Sequence, residues 1–175
     1  MLLAIPGVLN AAQLDKIRES LADARFVDGR LTAGRAAARV KNNEELEPDP
    51  RMHQRITRIA MSALGHNVDF RNAALPHRMA DFIVARYQPG MTYGDHVDNP
   101  IMGNAGPRFR SDVSMTLFLN PPDSYDGGEL VIRSAFGDRH VKLAAGDAVV
   151  YPSSSVHQVA PVTRGERLVI LTWIQ

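Results

Sequence analysis

The sequence predicts an α+β fold in which N-terminal helices cover a double-stranded β-helix, or jelly roll. Two stretches with helical periodicity lie in the first half of the chain. Short β-branched and aromatic runs, separated by Gly, Pro, Asn and Asp, fill the second half. The length of 175 residues suits one domain rather than two. We therefore expect a single domain, residues 1–175, with a helical cover over about residues 1–78 and a jelly-roll core over about residues 79–175.

Capping residues mark the starts of both predicted helices. Asn10 is a good N-cap for the first helix, and Gln13 completes a capping box with it. Asp49 is the N-cap expected for the second helix, with Pro50 at its first position and Gly65 near its end. The apolar residues that follow at helical spacing are Leu14, Ile17, Leu21 and Ala24 in the first helix, and Met52, Ile56, Ile59, Ala60 and Ala63 in the second.

Residues 28–47, between the two helices, have no clear apolar period. This segment permits two interpretations. It is a solvated loop or edge strand, as runs of charge commonly are, or it is a mobile flap that contributes substrate-binding cations. The cations in question are Arg30, Arg35, Arg39 and Lys41.

The jelly roll is predicted from consecutive short strands in the second half of the chain. Turn residues separate them, and many short antiparallel strands behind two helices favour two facing sheets whose mouth can hold a metal or small ligand. The predicted strands are Ala80 to Tyr87, Val113 to Leu119, Glu129 to Ile132, His140 to Leu143, Ala148 to Tyr151, Val156 to Ala160 and Arg167 to Ile174.

Composition excludes several classes of function. The net charge of +1, from 20 basic and 19 acidic residues, provides no overall field for nucleic acid or an anionic membrane. No apolar stretch approaches the roughly 18 residues that span a bilayer, and the N-terminal MLLAIPGVLN has no basic n-region, so we expect a cytoplasmic protein. Because the chain has 0 cysteines, any metal must be held by His and carboxylate side chains.

Three residues form a candidate metal site. His96 and Asp98 are two positions apart, so on extended backbone both side chains point to one face at a separation of roughly 6.6 Å. His157, at the start of another predicted strand, supplies a second imidazole. Two histidines and one carboxylate form the facial triad of non-haem Fe(II) oxygenases. Zinc hydrolases can use the same ligand types, so the ligands alone do not identify the metal.

Arg167 favours iron over zinc. It opens an apolar strand that should be buried, and a buried Arg needs an anionic partner. Octahedral Fe(II) has about six positions, so a triad leaves two for a chelating 2-oxo acid and one for dioxygen. Arg167 could then bind the distal carboxylate of 2-oxoglutarate as a bidentate clamp. Alternatively, Arg167 reaches solvent at the strand end or pairs with an acid such as Glu166.

Four blocks of sequence carry a resemblance to a known family. They are R-Y-x-P-G-M-x-Y-G-D-H-V-D-N-P at 86–100, D-G-G-E-L at 126–130, A-G-D-A-V-V-Y-P-S-S-S-V-H at 145–157 and P-V-T-R-G-E-R at 161–167. In this order they resemble the PKHD-type hydroxylases, bacterial relatives of the prolyl and lysyl hydroxylases in the Fe(II)/2-oxoglutarate dioxygenase superfamily. The match covers essentially the whole chain, although relatives continue beyond the W-I-Q with which this sequence ends.

The resemblance implies a role for each matched residue. It implies that His96, Asp98 and His157 bind Fe(II), that Arg167 binds 2-oxoglutarate, and that L-ascorbate serves as a reductant. Tyr87 matches a tyrosine that in related prolyl hydroxylases hydrogen-bonds the distal carboxylate, with a spacing to the first His ligand that is one residue shorter here. The expected activity is hydroxylation of an unidentified small molecule or peptide, coupled to oxidative decarboxylation of 2-oxoglutarate.

Two other classes of function remain open from the residues. The first is a cupin-like protein that binds a carboxylate ligand through the metal and Arg167 without oxygenase activity. The second is a zinc-dependent hydrolase or isomerase built on the same triad. Asp95 and Asn99, which flank the metal motif, could support the ligands. The remaining histidines lack ligand spacing and are expected to be structural or solvated: His53, His66, His77 and His140.

Overall fold

The computed structural model describes residues 1–103 and 108–175, and three α-helices and sixteen strands lie in these ranges. The helices are α1 (Ala11–Leu21), α2 (Pro50–His66) and α3 (Val68–Ala74). The strands are β1 (Leu3–Ile5), β2 (Phe26–Asp28), β3 (Lys41–Asn42), β4 (Glu44–Leu46), β5 (Ile83–Tyr87), β6 (Thr92–His96), β7 (Ile101–Met102), β8 (Phe109–Arg110), β9 (Val113–Phe118), β10 (Asp126–Gly127), β11 (Leu130–Ile132), β12 (Arg139–Val141), β13 (Ala148–Pro152), β14 (His157–Val159), β15 (Val162–Arg164) and β16 (Arg167–Ile174).

Side-chain caps define where the helices begin. The Asn10 side chain accepts a hydrogen bond from the Gln13 amide and the Gln13 side chain returns one, so α1 starts with the predicted capping box. Asp49 caps α2 with Pro50 in the first turn. Helix α3 was not predicted, because it is short and directly follows α2; Asn67 ends α2 and also caps α3. No helix in the described ranges is long and apolar enough to cross a membrane.

Two antiparallel sheets make up most of the molecule. The larger sheet has the strand order β1-β13-β9-β16-β5-β4-β2, and the smaller has the order β12-β11-β14-β6-β3. Two further pairs, β10 with β15 and β7 with β8, lie outside them. In the larger sheet, β16 pairs with β5 on one side and β9 on the other, so β16 is a central strand.

The larger sheet separates two apolar cores. Residues of β16 alternate between them: Ile170 packs with the buried faces of the three helices, whereas Val169 packs with the smaller sheet. This alternation explains why the run from Arg167 to Ile174 is apolar almost throughout, since the strand has no solvent face. The second core lies between the two sheets, where a ligand site can form.

The expected helical cover over residues 1–78 is wrong in one respect, because four strands lie in that stretch. Strand β1 pairs with β13, β4 pairs with β5 and β2, and β3 pairs with β6. These strands are only two or three residues long. Such short segments show no two-residue hydrophobic period, and their pairing with distant strands decides their conformation.

Candidate metal and cosubstrate site

Pairing between two strands brings the three predicted metal ligands together. His157 opens β14, and its Cα partner on the antiparallel strand β6 is His96. Asp98 lies two residues beyond the end of β6. Its Oδ1 is 4.0 Å from His96 Nε2 and its Oδ2 is 3.8 Å from His157 Nε2. One ligand atom from each residue lies within 4.8 Å of the others, which is a separation that one ion can bridge.

Backbone carbonyls orient both imidazoles toward the same point. His96 Nδ1 lies 2.8 Å from the Gly94 carbonyl oxygen, and His157 Nδ1 lies 3.0 Å from that of Ser155. A carbonyl can only accept, so Nδ1 is the donor in each ring and Nε2 is the nitrogen left to ligate a metal. Burial, followed by the neighbouring His157, lowers the pKa of His96 from 6.5 to about 4. His96 is therefore neutral near pH 7, as a metal ligand must be.

Asp98 is held by a hydroxyl that the sequence did not indicate. Ser114 Oγ on β9 donates to Asp98 Oδ2 at 2.5 Å, and the Ser114 and Ser153 hydroxyls lie 2.8 Å apart. Asp95 does not support the ligands, because its exposed carboxylate pairs with Arg133 at 3.1 Å. The support for Asp98 comes from a different strand, and only the packing of the sheets reveals it.

Aromatic rings pack against both histidine ligands. Tyr93 stacks on His96 with ring centroids 3.6 Å apart and planes 11° apart. Tyr151 meets His157 edge-on, with centroids 5.1 Å apart. These contacts restrict rotation of the imidazoles, and the i, i+3 spacing of Tyr93 and His96 offered no strand-based reason to expect them.

Arg167 is fully inside the protein, with a relative exposure of 1%. Its Cα pairs with that of Tyr87 on the neighbouring strand, and its Cζ lies 5.0 Å from the Tyr87 ring centroid. Within residues 1–103 and 108–175, none of its three guanidinium nitrogens has a hydrogen-bond partner. Glu166 lies instead 3.9 Å from Arg86, so the interpretation of Arg167 as a strand-end residue paired with Glu166 or reaching solvent is wrong.

The metal ligands and Arg167 line one cavity between the two sheets. A buried guanidinium without an anion is strongly unfavourable, and a carboxylate entering the cavity would supply two acceptor oxygens. The residues therefore fit a ligand with a metal-chelating group at one end and an anionic group at the other. That is the chemical description of a 2-oxo dicarboxylic acid beside a divalent metal.

The segment 28–47 forms one wall of this cavity. Lys41 is the cation of the segment that lines it, and its Nζ forms a buried ion pair with Glu45. Thr32 Oγ1 donates to the second oxygen of Glu45 at 2.7 Å and lies 3.3 Å from Lys41 Nζ. The cations Arg30, Arg35 and Arg39 are exposed. The segment thus combines a solvated outer face with a buried ion pair on the cavity side.

The remaining histidines lie away from the site. His66, His77 and His140 are exposed, and His53 is half-buried in α2 with its Nδ1 3.2 Å from the Asp49 carbonyl oxygen. Among the described residues, the only group of His, Cys, Asp and Glu able to hold a metal is the cluster of His96, Asp98 and His157.

Comparison with known proteins shows the family to which the chain belongs. The model of the 2OG-Fe(II) oxygenase superfamily matches residues 82–175. A PKHD-type hydroxylase of Thioalkalivibrio sulfidiphilus is 53% identical over 167 residues, which are 95% of this chain and 75% of that protein. A PKHD-type hydroxylase of Cupriavidus metallidurans is 47% identical over 178 residues, covering 100% of this chain and 78% of the relative. The chain therefore belongs to the PKHD-type hydroxylases of the 2OG-Fe(II) oxygenase superfamily.

Solved structures share the fold at lower identity. A Pseudomonas putida prolyl-4-hydroxylase superposes with a TM-score of 0.70 at 22% identity, covering 99% of this chain and 91% of that one. HygX from Streptomyces hygroscopicus, solved with nickel and 2-oxoglutarate bound, has a TM-score of 0.67 at 15% identity, covering 99% and 82%. The mostly antiparallel sheets and three helices described above are thus those of the 2-oxoglutarate oxygenase fold.

Proposed function

We propose that His96, Asp98 and His157 hold Fe(II) and that Arg167 anchors the distal carboxylate of 2-oxoglutarate, so that the enzyme hydroxylates a primary substrate in the same cavity. The observation that carries the proposal is the buried Arg167, whose guanidinium has no partner among the described residues yet lines the cavity that holds the triad. A fold that buries a charge without neutralising it requires a ligand of opposite charge.

Each residue has a defined task in this proposal. His96, Asp98 and His157 would hold the metal through two imidazole nitrogens and a carboxylate oxygen, so that three protein ligands would leave it able to bind further ligands. Arg167 would hold the distal carboxylate of the cosubstrate and so orient it in the cavity. When bound, Fe(II) and 2-oxoglutarate supply the oxidative decarboxylation that yields succinate and carbon dioxide and activates oxygen for C–H hydroxylation.

We also propose that Tyr87 belongs to the anion end of the site. It is 1% exposed, pairs in register with Arg167 and places its ring under the guanidinium. Burial raises the pKa of Tyr87 to about 12, so its hydroxyl keeps its proton and can donate to a carboxylate. Replacing Tyr87 with Phe keeps the stacking and removes the donor, so a weaker affinity of Tyr87→Phe for 2-oxoglutarate tests this role.

Several broader features complete the proposal. The two facing sheets suit a double-stranded β-helix, or jelly roll, with the helices packed on the outer face of the larger sheet, and we propose that residues 1–175 form one domain. The use of L-ascorbate as a reductant rests on the family resemblance alone. A cytoplasmic location rests on composition and the N-terminal sequence and stays a prediction.

The primary substrate is unassigned between a small molecule and a peptide. One structural neighbour is a prolyl hydroxylase in complex with a hypoxia inducible factor peptide fragment, and another is HygX with hygromycin B bound. The shared fold thus accompanies a peptide ligand in one case and hygromycin B in the other. It does not restrict the class of substrate for this chain.

The deciding experiment incubates the enzyme anaerobically with Fe(II), 2-oxoglutarate and a panel of metabolites and peptides, and then admits oxygen. Mass spectrometry should find one product heavier by one oxygen atom, with succinate formed in proportion. A protein that binds 2-oxoglutarate but forms no succinate with any substrate would match the cupin-like alternative. Turnover that is insensitive to oxygen and supported by zinc would match the hydrolase or isomerase alternative.

A further inference from the structure

Tyr125 has a buried hydroxyl that the function described so far does not use. The residue is 1% exposed, and its Oη has no hydrogen-bond partner in the ranges that the structure describes. A tyrosine hydroxyl is a donor and an acceptor, and a buried one is nearly always paired. An unpaired hydroxyl at this depth therefore indicates a group that arrives with a ligand.

Tyr125 lies beside the buried side chain of Arg167. Both side chains converge on Gly128, where a Cβ atom would lie 3.1 Å from Arg167 Cδ and 3.1 Å from Tyr125 Cε2. Gly128 has a φ of +69°, so its backbone and the space beside it both favour glycine. Burial raises the pKa of Tyr125, and the positive charge of the neighbouring Arg167 opposes that rise.

Neither the Tyr125 hydroxyl nor the Arg167 guanidinium has a hydrogen-bond acceptor among the described residues. The Arg167 nitrogens can only donate, and none has an acceptor among the described residues. A carboxylate offers about four lone-pair sites, of which a bidentate arginine uses two. We propose that Tyr125 donates its hydroxyl hydrogen bond to the distal carboxylate of 2-oxoglutarate, alongside Arg167. This inference rests on the proposed function, because it assigns a further residue to the cosubstrate.

Lys142 provides a control within the same structure. Its Nζ lies 4.1 Å from the Tyr125 ring centroid and donates to the Tyr125 carbonyl oxygen at 2.7 Å. It therefore packs against Tyr125 without contacting the hydroxyl. Lys142→Met disturbs the packing of Tyr125 and keeps the hydroxyl, whereas Tyr125→Phe keeps the ring and removes the hydroxyl.

The test is an anaerobic titration of the Fe(II) enzyme with 2-oxoglutarate, followed by the metal-to-ligand charge-transfer absorbance. Tyr125→Phe should weaken 2-oxoglutarate binding about tenfold to a hundredfold, as expected for a hydrogen bond to a charged group. The same titration with 2-oxopentanoate, which has no distal carboxylate, should give equal affinities for the variant and the parent. Lys142→Met should bind both ligands as the parent does.

Thermal unfolding of the ligand-free protein supplies a second measurement. If the hydroxyl is unpaired until 2-oxoglutarate binds, Tyr125→Phe should be at least as stable as the parent without ligand, and 2-oxoglutarate should stabilise it less. A purely structural hydroxyl would give the reverse: a less stable variant with unchanged affinity, which overturns the inference. The parent must first develop the charge-transfer band; its failure to do so would refute the proposed function itself, independently of Tyr125.

Discussion

Two buried cations line the same cavity, and the fold treats them differently. Lys41 is neutralised within the protein, because Glu45 binds its ammonium and Thr32 binds the second oxygen of that carboxylate. Arg167 is buried more deeply still, but none of its nitrogens has a hydrogen-bond acceptor within the described residues. Lys41 is therefore a structural residue, whereas Arg167 is available to bind an anionic ligand.

This difference separates stability from binding. A neutralised buried ion pair contributes to the fold mainly by fixing local geometry. Removing one partner leaves the other charge buried without a counter-ion, which destabilises the protein. An unneutralised cation lowers the stability of the ligand-free protein and recovers that free energy when an anion arrives. The cavity wall near Lys41 should therefore respond to mutation through unfolding, and the Arg167 end through ligand affinity.

The largest effect is expected at the three metal ligands. It is the reference against which the effects of replacing Lys41 and Arg167 are compared. Replacing any one of His96, Asp98 or His157 with Ala should abolish iron binding in the active geometry and turnover, because a facial triad has no spare ligand. Iron stoichiometry by elemental analysis and succinate release measure this. Asp95→Ala is the matched control, since the Asp95 carboxylate is exposed and pairs with Arg133. Full activity in any triad variant would remove that residue from the metal site.

The next effect is on stability, at Lys41. Lys41→Met leaves Glu45 buried without a counter-ion and should lower the free energy of unfolding by about 3–5 kcal/mol. Replacing Lys41 and Glu45 together with Met should recover most of that loss, because no isolated charge then remains. Urea unfolding of the single and double variants measures both values. A single variant as stable as the parent would show that the pair is solvated, and that the two cations do not differ.

The features predicted from sequence are those encoded by neighbouring residues. The capping box at Asn10, the apolar strand beginning at Arg167 and the two-residue spacing of His96 and Asp98 all depend on local geometry. The family resemblance added the roles of these residues. Each of its four blocks contributes at least one residue that lines the cavity.

The features missed from sequence depend on distant pairing. Ser114 reaches Asp98 from the facing sheet, because β9 belongs to the larger sheet and β6, which leads to Asp98, belongs to the smaller one. Lys41 meets Glu45 because β3 pairs with β6 of the smaller sheet while β4 pairs with β5 of the larger one. Neither contact leaves a periodic signal. Tyr125 stands just before the D-G-G-E-L block, but its proximity to Arg167 follows from the position of Gly128 in the folded chain.

Replacing Arg167 should have the opposite consequence to replacing Lys41, because it should change ligand affinity rather than the free energy of unfolding. Arg167→Ala should weaken 2-oxoglutarate binding on the order of tenfold to more than a hundredfold, because charge-assisted hydrogen bonds contribute about 1.5–3 kcal/mol each. Arg167→Lys should restore only part of this, since an ammonium lacks the planar fork. The measurement is the charge-transfer titration under anaerobic conditions. Arg86→Ala is the control, because Arg86 lies across the strand pair from Leu168 and binds Glu44 at 2.7 Å.

Stability sharpens the same prediction. Arg167→Met replaces an unneutralised buried charge with a shorter, unbranched apolar side chain, so the ligand-free variant should unfold at a temperature equal to or above that of the parent. A variant that loses stability while binding 2-oxoglutarate as tightly as the parent would make Arg167 a structural residue, as Lys41 is. The proposed cosubstrate would then lose its main support.

The smallest effect is expected at Ser114. This prediction tests whether a hydrogen bond from the protein holds Asp98 in place, as the ion pair with Glu45 holds Lys41. Ser114→Ala removes the hydroxyl that donates to Asp98 at 2.5 Å and should weaken Fe(II) affinity about tenfold, the lower range for residues that orient a metal ligand. Ser111→Ala is the matched control, because Ser111 is also buried but its hydroxyl donates to the Asn99 backbone carbonyl. Competition with a coloured chelator measures iron affinity in both variants, and thermal unfolding corrects for any general loss of stability. If both serine variants bind iron as the parent does, Asp98 needs no hydroxyl to hold its position, and the two histidines with their carbonyl partners suffice to order the site.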